Sequence, residues 1–74
     1  MQRYWLECGQ GQQFILQVWQ GNVNITVRDP EWQIIGAVMP GQIGWQGILP
    51  STADYVVEIS SPDGSDYAVE VVVL

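Results

Sequence analysis

Asn22-Val23-Asn24-Ile25-Thr26-Val27-Arg28 alternates polar and apolar side chains from end to end, and Asp54-Tyr55-Val56-Val57-Glu58-Ile59 places Tyr55, Val57 and Ile59 in a single phase. A period of two puts alternate side chains on opposite faces of an extended strand. Working outward from these two stretches, the chain divides into seven short runs separated by Gly, Pro, Asn and Asp. Strands this short, with turn signals at this spacing, predict an all-β fold: a small antiparallel β-sandwich, jelly-roll-like, of about seven strands. No segment shows the 3.6-residue period of a helix. Linkers, internal repeats and low-complexity tracts are absent, so residues 1–74 read as a single domain.

The first run, Arg3 to Cys8, turns Tyr4, Leu6 and Cys8 inward, and Gly9-Gln10-Gly11-Gln12 follows as a turn. The second, Gln13 to Gln20, sends Phe14, Leu16 and Val18 to one face and Ile15, Gln17 and Trp19 to the other. Gly21-Asn22 suits a tight hairpin into the third run, which points Val23, Ile25 and Val27 inward. Asp29-Pro30-Glu31-Trp32 is a turn with Pro where φ must be fixed. Gly36 interrupts the fourth run, Gln33 to Met39, and signals a bulge or an edge. After the turn Pro40-Gly41-Gln42, the fifth run, Gly44 to Leu49, offers Trp45, Gly47 and Leu49 to one face, with Trp45 in the core. Beyond Pro50-Ser51-Thr52-Ala53 lies the run from Asp54 to Ile59. Ser61-Pro62-Asp63-Gly64-Ser65 is a loop, and the last run, Asp66 to Val73, places Tyr67, Val69, Val71 and Val73 inward.

A 74-residue domain buries only about 60–65% of its unfolded surface, so it depends on a dense core. Apolar residues at 47%, many of them β-branched or aromatic, can supply that core. The net charge is −6, from eight carboxylates against Arg3 and Arg28, with no lysine. Phosphate-rich partners need clustered cations, which argues against nucleic acid and against an anionic membrane surface. Neutral or cationic partners suit the charge better. No segment reaches the ~18 apolar residues of a membrane span, and no stretch has the make-up of a signal peptide. Cys8 stands alone and reads as a small buried hydrophobe.

Catalytic chemistry finds little support. Histidine is absent, which removes Ser-His and Cys-His nucleophile pairs, and a single cysteine makes zinc improbable. The acids fall at turns or at outward positions such as Glu7, Glu58 and Glu70, where a solvated surface explains them. The expectation is a protein that is not an enzyme and needs no cofactor. Calcium is the one metal with candidate ligands, Asp63 and Asp66 with Ser65, and secondarily Asp29 and Glu31, though neither loop has EF-hand spacing. Of four tryptophans, Trp5 and Trp19 lie out of phase with the core residues and Trp32 lies in a turn. Exposed aromatics among Gln and Asn are how β-sandwich modules hold sugars or protein surfaces. Trp19 with Gln17, joined by Trp5, is the expected contact surface, and Trp32 completes the candidate binding residues. Such a patch would equally serve a homodimer.

Four segments, in order, resemble the bacterial pre-peptidase C-terminal domain. They are Tyr4-Trp5-Leu6-Glu7-Cys8 followed by Gly11-Gln12-Gln13-Phe14-Ile15-Leu16, then Val23 to Arg28 closed by Asp29-Pro30, then Trp45-Gln46-Gly47-Ile48-Leu49-Pro50 leading into Asp54-Tyr55, and finally the strand begun by Asp66-Tyr67. The chain departs from the family after Asp29-Pro30, where Asp or Asn and then Gly are usual and Glu31-Trp32 stands instead. It departs again where Ala53-Asp54-Tyr55 replaces Gly-Asp-Tyr. The resemblance implies a jelly-roll-type sandwich that accompanies secreted enzymes, especially peptidases, without catalysing anything itself. It implies a secreted or periplasmic location. Some collagenase-associated relatives bind calcium and collagen, but this chain carries no site clear enough to transfer. The combined expectation is a non-catalytic accessory or binding module that contacts or targets a protein partner or partner domain. The alternative is a carbohydrate-binding module using the exposed tryptophans.

Overall fold

The computed structural model describes residues 1–64 and 66–74. Among the described residues seven strands form, one in each of the seven runs: β1 Gln2–Cys8, β2 Gln13–Gln20, β3 Asn24–Arg28, β4 Ile34–Val38, β5 Gly44–Ile48, β6 Ala53–Ser60 and β7 Ala68–Val73. They make two antiparallel sheets, one ordered β1-β6-β3-β4 and the other β5-β2-β7. The protein is a small β-sandwich. Every connection crosses between the sheets except β3–β4, which is a hairpin.

The expected hairpin at Gly21-Asn22 is therefore absent. Both sides of β2 are taken, by β5 and by β7, so β3 has no edge there to pair with. The chain instead crosses, led by Val23, which is already buried before pairing begins at Asn24. The last strand starts at Ala68 and not at Asp66.

The inward phases meet between the sheets. Phe14, Leu16, Val23, Ile25, Val27, Leu49, Tyr55, Val57 and Ile59 are buried, with Cys8 and Val38 beside them, and among the described residues no polar one is buried. Burial raises the Cys8 thiol pKa, and the carboxylates of Asp54 and Glu7 add to the effect. The thiol therefore stays protonated and unreactive near neutrality. Trp45 packs on this core, tilted against Phe14 with ring centroids 6.1 Å apart. It lies against Gly36 and Gly47, where the absence of side chains makes room for the indole. Gly36 sits on β4, an edge strand, opposite a register irregularity in β3–β4, so both readings of that glycine hold.

The other side of the sandwich stays open. Tyr4 and Val71, expected inward, are 48% and 37% exposed. Their strands, β1 and β7, are the free edges of the two sheets on that side. An apolar groove of about 450 Å³ remains between them, lined by Tyr4, Leu6, Val57, Tyr67, Val69 and Val71 among others. The hydroxyls of Tyr4 and Tyr67 both donate to Gln2 Oε1.

Tyr55 joins the core to a crossover. Its ring is fully buried, and its hydroxyl donates to the Ser51 carbonyl at 2.6 Å, within the Pro50–Thr52 passage from β5 to β6. Tyr55→Phe is expected to cost about 1–3 kcal/mol, because it leaves a partly buried carbonyl without its donor. Thermal unfolding checks this, and an unchanged midpoint would show that water replaces the hydroxyl freely.

Candidate functional site

The outer face of the four-stranded sheet carries the most structured group of exposed side chains. Register sets it up. Arg3 lies beside Glu58, and Glu58 beside Thr26; one row along, Trp5 lies beside Val56, and Val56 beside Arg28; at the end, Glu7 lies beside Asp54. All these residues share the phase opposite to the core.

The β3–β4 turn delivers a further aromatic ring to this face. The Trp32 N–H donates to the Asp29 carbonyl at 2.9 Å, while Asp29 Oδ1 accepts from the N–H groups of Glu31 and Gln33. This closure puts Trp32 at φ 67°, in the left-handed region. The same chain contains a matching turn, Ser61-Pro62-Asp63-Gly64, in which the fourth N–H donates to the first carbonyl and the fourth residue has φ 73°. There the fourth residue is glycine. A side chain in this conformation costs about 1–2 kcal/mol. For Trp32 the contacts of the ring offset that cost. The Arg3 and Arg28 guanidinium carbons stand 5.6 and 5.3 Å from the ring centroid, and Trp5 lies at 6.2 Å with its plane tilted by 36°. Arg28 also donates to the Trp32 carbonyl at 3.1 Å. Exposed cation–π contacts contribute about 0.5–1 kcal/mol each. The aromatic pair adds about 0.5–1.5 kcal/mol.

Glu58 holds both arginines in place. Arg3 donates to Oε2 from Nε and Nη2 at 3.0 and 2.7 Å, and Arg28 Nε donates to Oε1 at 2.6 Å. Hydrogen bonds from Arg28 and then Arg3 hold the Glu58 carboxyl below the usual glutamate range, against a smaller opposing effect of burial. A carboxyl whose pKa is depressed by folding stabilises the fold above its ordinary pKa, and that stability is lost as pH falls through the folded value. Acid titration of the melting temperature is therefore expected to fall away below about pH 4. Glu58→Gln should lower the neutral-pH plateau and flatten that fall. Parallel acid limbs for the two proteins would show that Glu58 is not the group responsible.

Both of the chain's arginines are thus committed to Glu58 and Trp32. Glu7 and Asp54 face one another across β1–β6 with no ion pair among the described residues. Like charges directly opposite on a sheet are destabilising.

The expected contact residues separate into two groups. Trp5 and Trp32 come together on this face, 63% and 45% exposed. Trp19 and Gln17 belong to β2 in the other sheet, so a single surface joining Trp19 and Gln17 to Trp5 does not form. Trp19 is 65% exposed where the β2–β7 register shifts, and Gln17 lies across from Gly44 and Glu70. At the far end of β2, Gln13 donates to Gln46 at 3.3 Å.

The sequence alone does not single out Arg3, Arg28 and Glu58. Their outward phase is visible in the sequence, but nothing in it pairs β1 and β3 with β6. Val56 is hidden for the same reason. It has outward phase yet is only 1% exposed, flanked by Trp5 and Arg28.

Of the calcium candidates, Asp63 accepts from Ser61 Oγ at 3.0 Å, Asp66 is exposed, and Ser65 lies outside the described residues. Among the described residues no three His, Cys, Asp or Glu side chains group as metal ligands do. Chelation is expected to leave the thermal midpoint unchanged, and a drop of many degrees would reveal a structural ion.

No family model and no curated protein matches the sequence. Among solved structures, the fold is similar to the crystal structure of PliG from Aeromonas hydrophila, a periplasmic lysozyme inhibitor of g-type lysozyme. The TM-score is 0.69 at 25% identity, over 93% of this chain and 67% of that one. Over nearly its whole length, this chain shares its sandwich with an inhibitor protein.

Proposed function

We propose that the chain is a non-catalytic protein-binding module that inhibits a lysozyme-class hydrolase in the periplasm or outside the cell. The similarity to the Aeromonas hydrophila inhibitor carries this reading, since it extends over 93% of the chain. The acidic composition supports it, because a net charge of −6 favours a basic protein partner. The resemblance to the pre-peptidase C-terminal domain supports a related role, as an accessory module beside a secreted enzyme. Both roles require a protein surface and no reaction centre.

The test measures cell-wall lysis by a g-type lysozyme with increasing amounts of the purified chain, alongside calorimetric titration of the two proteins. Saturable inhibition that tracks binding is the expected result. Neither binding nor inhibition at high micromolar concentration would reject the inhibitor reading. Trp19, Gln17 and the Gln13–Gln46 pair, on the other sheet, favour carbohydrate binding as the second reading. Titration with chitin oligosaccharides and soluble peptidoglycan fragments separates the two readings. Heat released by the sugars and lost in Trp19→Ala would favour the second.

A further inference from the structure

Trp32 occupies a backbone conformation that the chain fills with glycine in its matching turn, Ser61–Gly64. The fold does not need an indole there, since glycine closes the same turn without strain. The ring does gain contacts with Arg3, Arg28 and Trp5, and with them it builds a rigid aromatic platform. Trp5, at the rim of this platform, remains 63% exposed. Beside it Glu7 and Asp54 stand opposite one another on β1 and β6, both exposed and both anionic, with no ion pair among the described residues. Asp29 and Glu31, in the turn carrying Trp32, lie at the same end of the sheet, because Arg28 pairs with Val56 just as Trp5 does. A left-handed tryptophan and a pair of like charges thus fall on one face. Strain and uncompensated charge concentrate at working surfaces.

We infer that the outer face of the four-stranded sheet is the docking face for a basic protein surface. Trp5 on the Trp32–Arg3–Arg28 platform is the anchor, and Glu7, Asp54 and Glu31 receive lysine or arginine side chains of the partner. Charge decides the occupant. Both arginines are already held by Glu58, so the groups on offer are aromatic and anionic. A second copy of the chain would bring the same anionic rim against itself and be repelled. The inference rests on the protein-binding reading and adds the surface that performs it.

The experiment uses the full chain with g-type lysozyme, and the same enzyme with its lysines acetylated, at low and high salt. Trp5→Ala is expected to weaken binding about thirtyfold, the effect of a central anchor. Trp32→Gly should weaken it about tenfold while the hairpin stays closed. The double variant Glu7→Gln/Asp54→Asn guards against a Trp5→Ala protein that fails to fold. It should melt at or above the wild-type temperature, yet bind about tenfold more weakly and lose much of the salt dependence. Acetylating the enzyme should have a similar effect. Trp19→Ala, on the opposite sheet, should change affinity less than threefold.

If the wild type binds but these variants bind as tightly, the docking face is elsewhere and the inhibitor reading stands. If the wild type does not bind at all, both fall together. Two further outcomes would overturn the basic-protein occupant: a dimer of the chain alone that Trp5→Ala dissociates in sedimentation, or a Trp5-dependent response to chitin oligosaccharides.

Discussion

Gly36→Val is expected to leave most of the chain unfolded at room temperature. Gly36 is buried on β4 beneath the Trp45 indole, and a Cβ there would meet Trp45 Cζ2 at 2.5 Å and Cδ2 at 2.8 Å. The ring cannot move along its own strand, because it already lies against the backbone of Gly47 there. A Cβ on Gly47 would likewise stand 2.7 Å from Cζ2. Phe14 flanks the ring on its core side. The added methyl groups must therefore part β4 from β5, the contact that closes this side of the sandwich. Overpacking of this kind costs about 3 kcal/mol or more. A domain of this size has about 5 kcal/mol of stability to lose. Denaturant unfolding measures the loss, and the double variant Gly36→Val/Trp45→Leu should recover much of it. A single variant that melts within a degree or two of wild type would show that Trp45 swings freely and does not wedge the sheets.

Phe14→Ala is expected to cost about 3–5 kcal/mol. Phe14 has no exposed surface and sits on the central strand of the three-stranded sheet, between Gly47 on β5 and Val73 on β7. Gly47 contributes no side chain, so the phenyl ring and Trp45 together fill that layer. Removing the ring leaves a cavity that the neighbours cannot close without moving Trp45 off Gly36. Phe14→Leu should lose only about 1 kcal/mol, since it keeps most of the volume. The shift in denaturant midpoint at constant slope is the measurement. A loss below about 1 kcal/mol for Phe14→Ala would mean that the core collapses around the gap. The Phe14 and Gly36 effects share one indole, so their sum should not predict the double variant.

These two sites show how the core was legible and where legibility stopped. Phe14 is inward by alternation alone. Gly36 is marked as a bulge or an edge by its interruption of a strand. That Trp45 fills the space above Gly36 depends on β4 and β5 lying in opposite sheets, which no local pattern states. The candidate site follows the same division. Trp5 has outward phase in its run, and Trp32 sits in a Pro turn, so each could be named as a surface aromatic. Their meeting on one ring platform, and the separation of Trp19 and Gln17 onto the other sheet, required the order β1-β6-β3-β4.

The sequence by itself determined the strands, their inner faces and their turns. Side-chain alternation, Pro-fixed φ and Gly-Asn-Asp turn chemistry act over a few neighbouring residues, and so they are written in any short window. Only the tertiary structure decided which strands pair and which turns are hairpins. Gly21-Asn22 has hairpin chemistry, but its neighbour strand was already paired on both sides. Tertiary structure also decided that Val56, outward by phase, is buried between Trp5 and Arg28, and that Arg3 and Arg28 share Glu58. Pairing is chosen by the burial of distant residues against one another. That burial is a property of the whole chain closing at once, and the local pattern of any one strand fits several partners equally well.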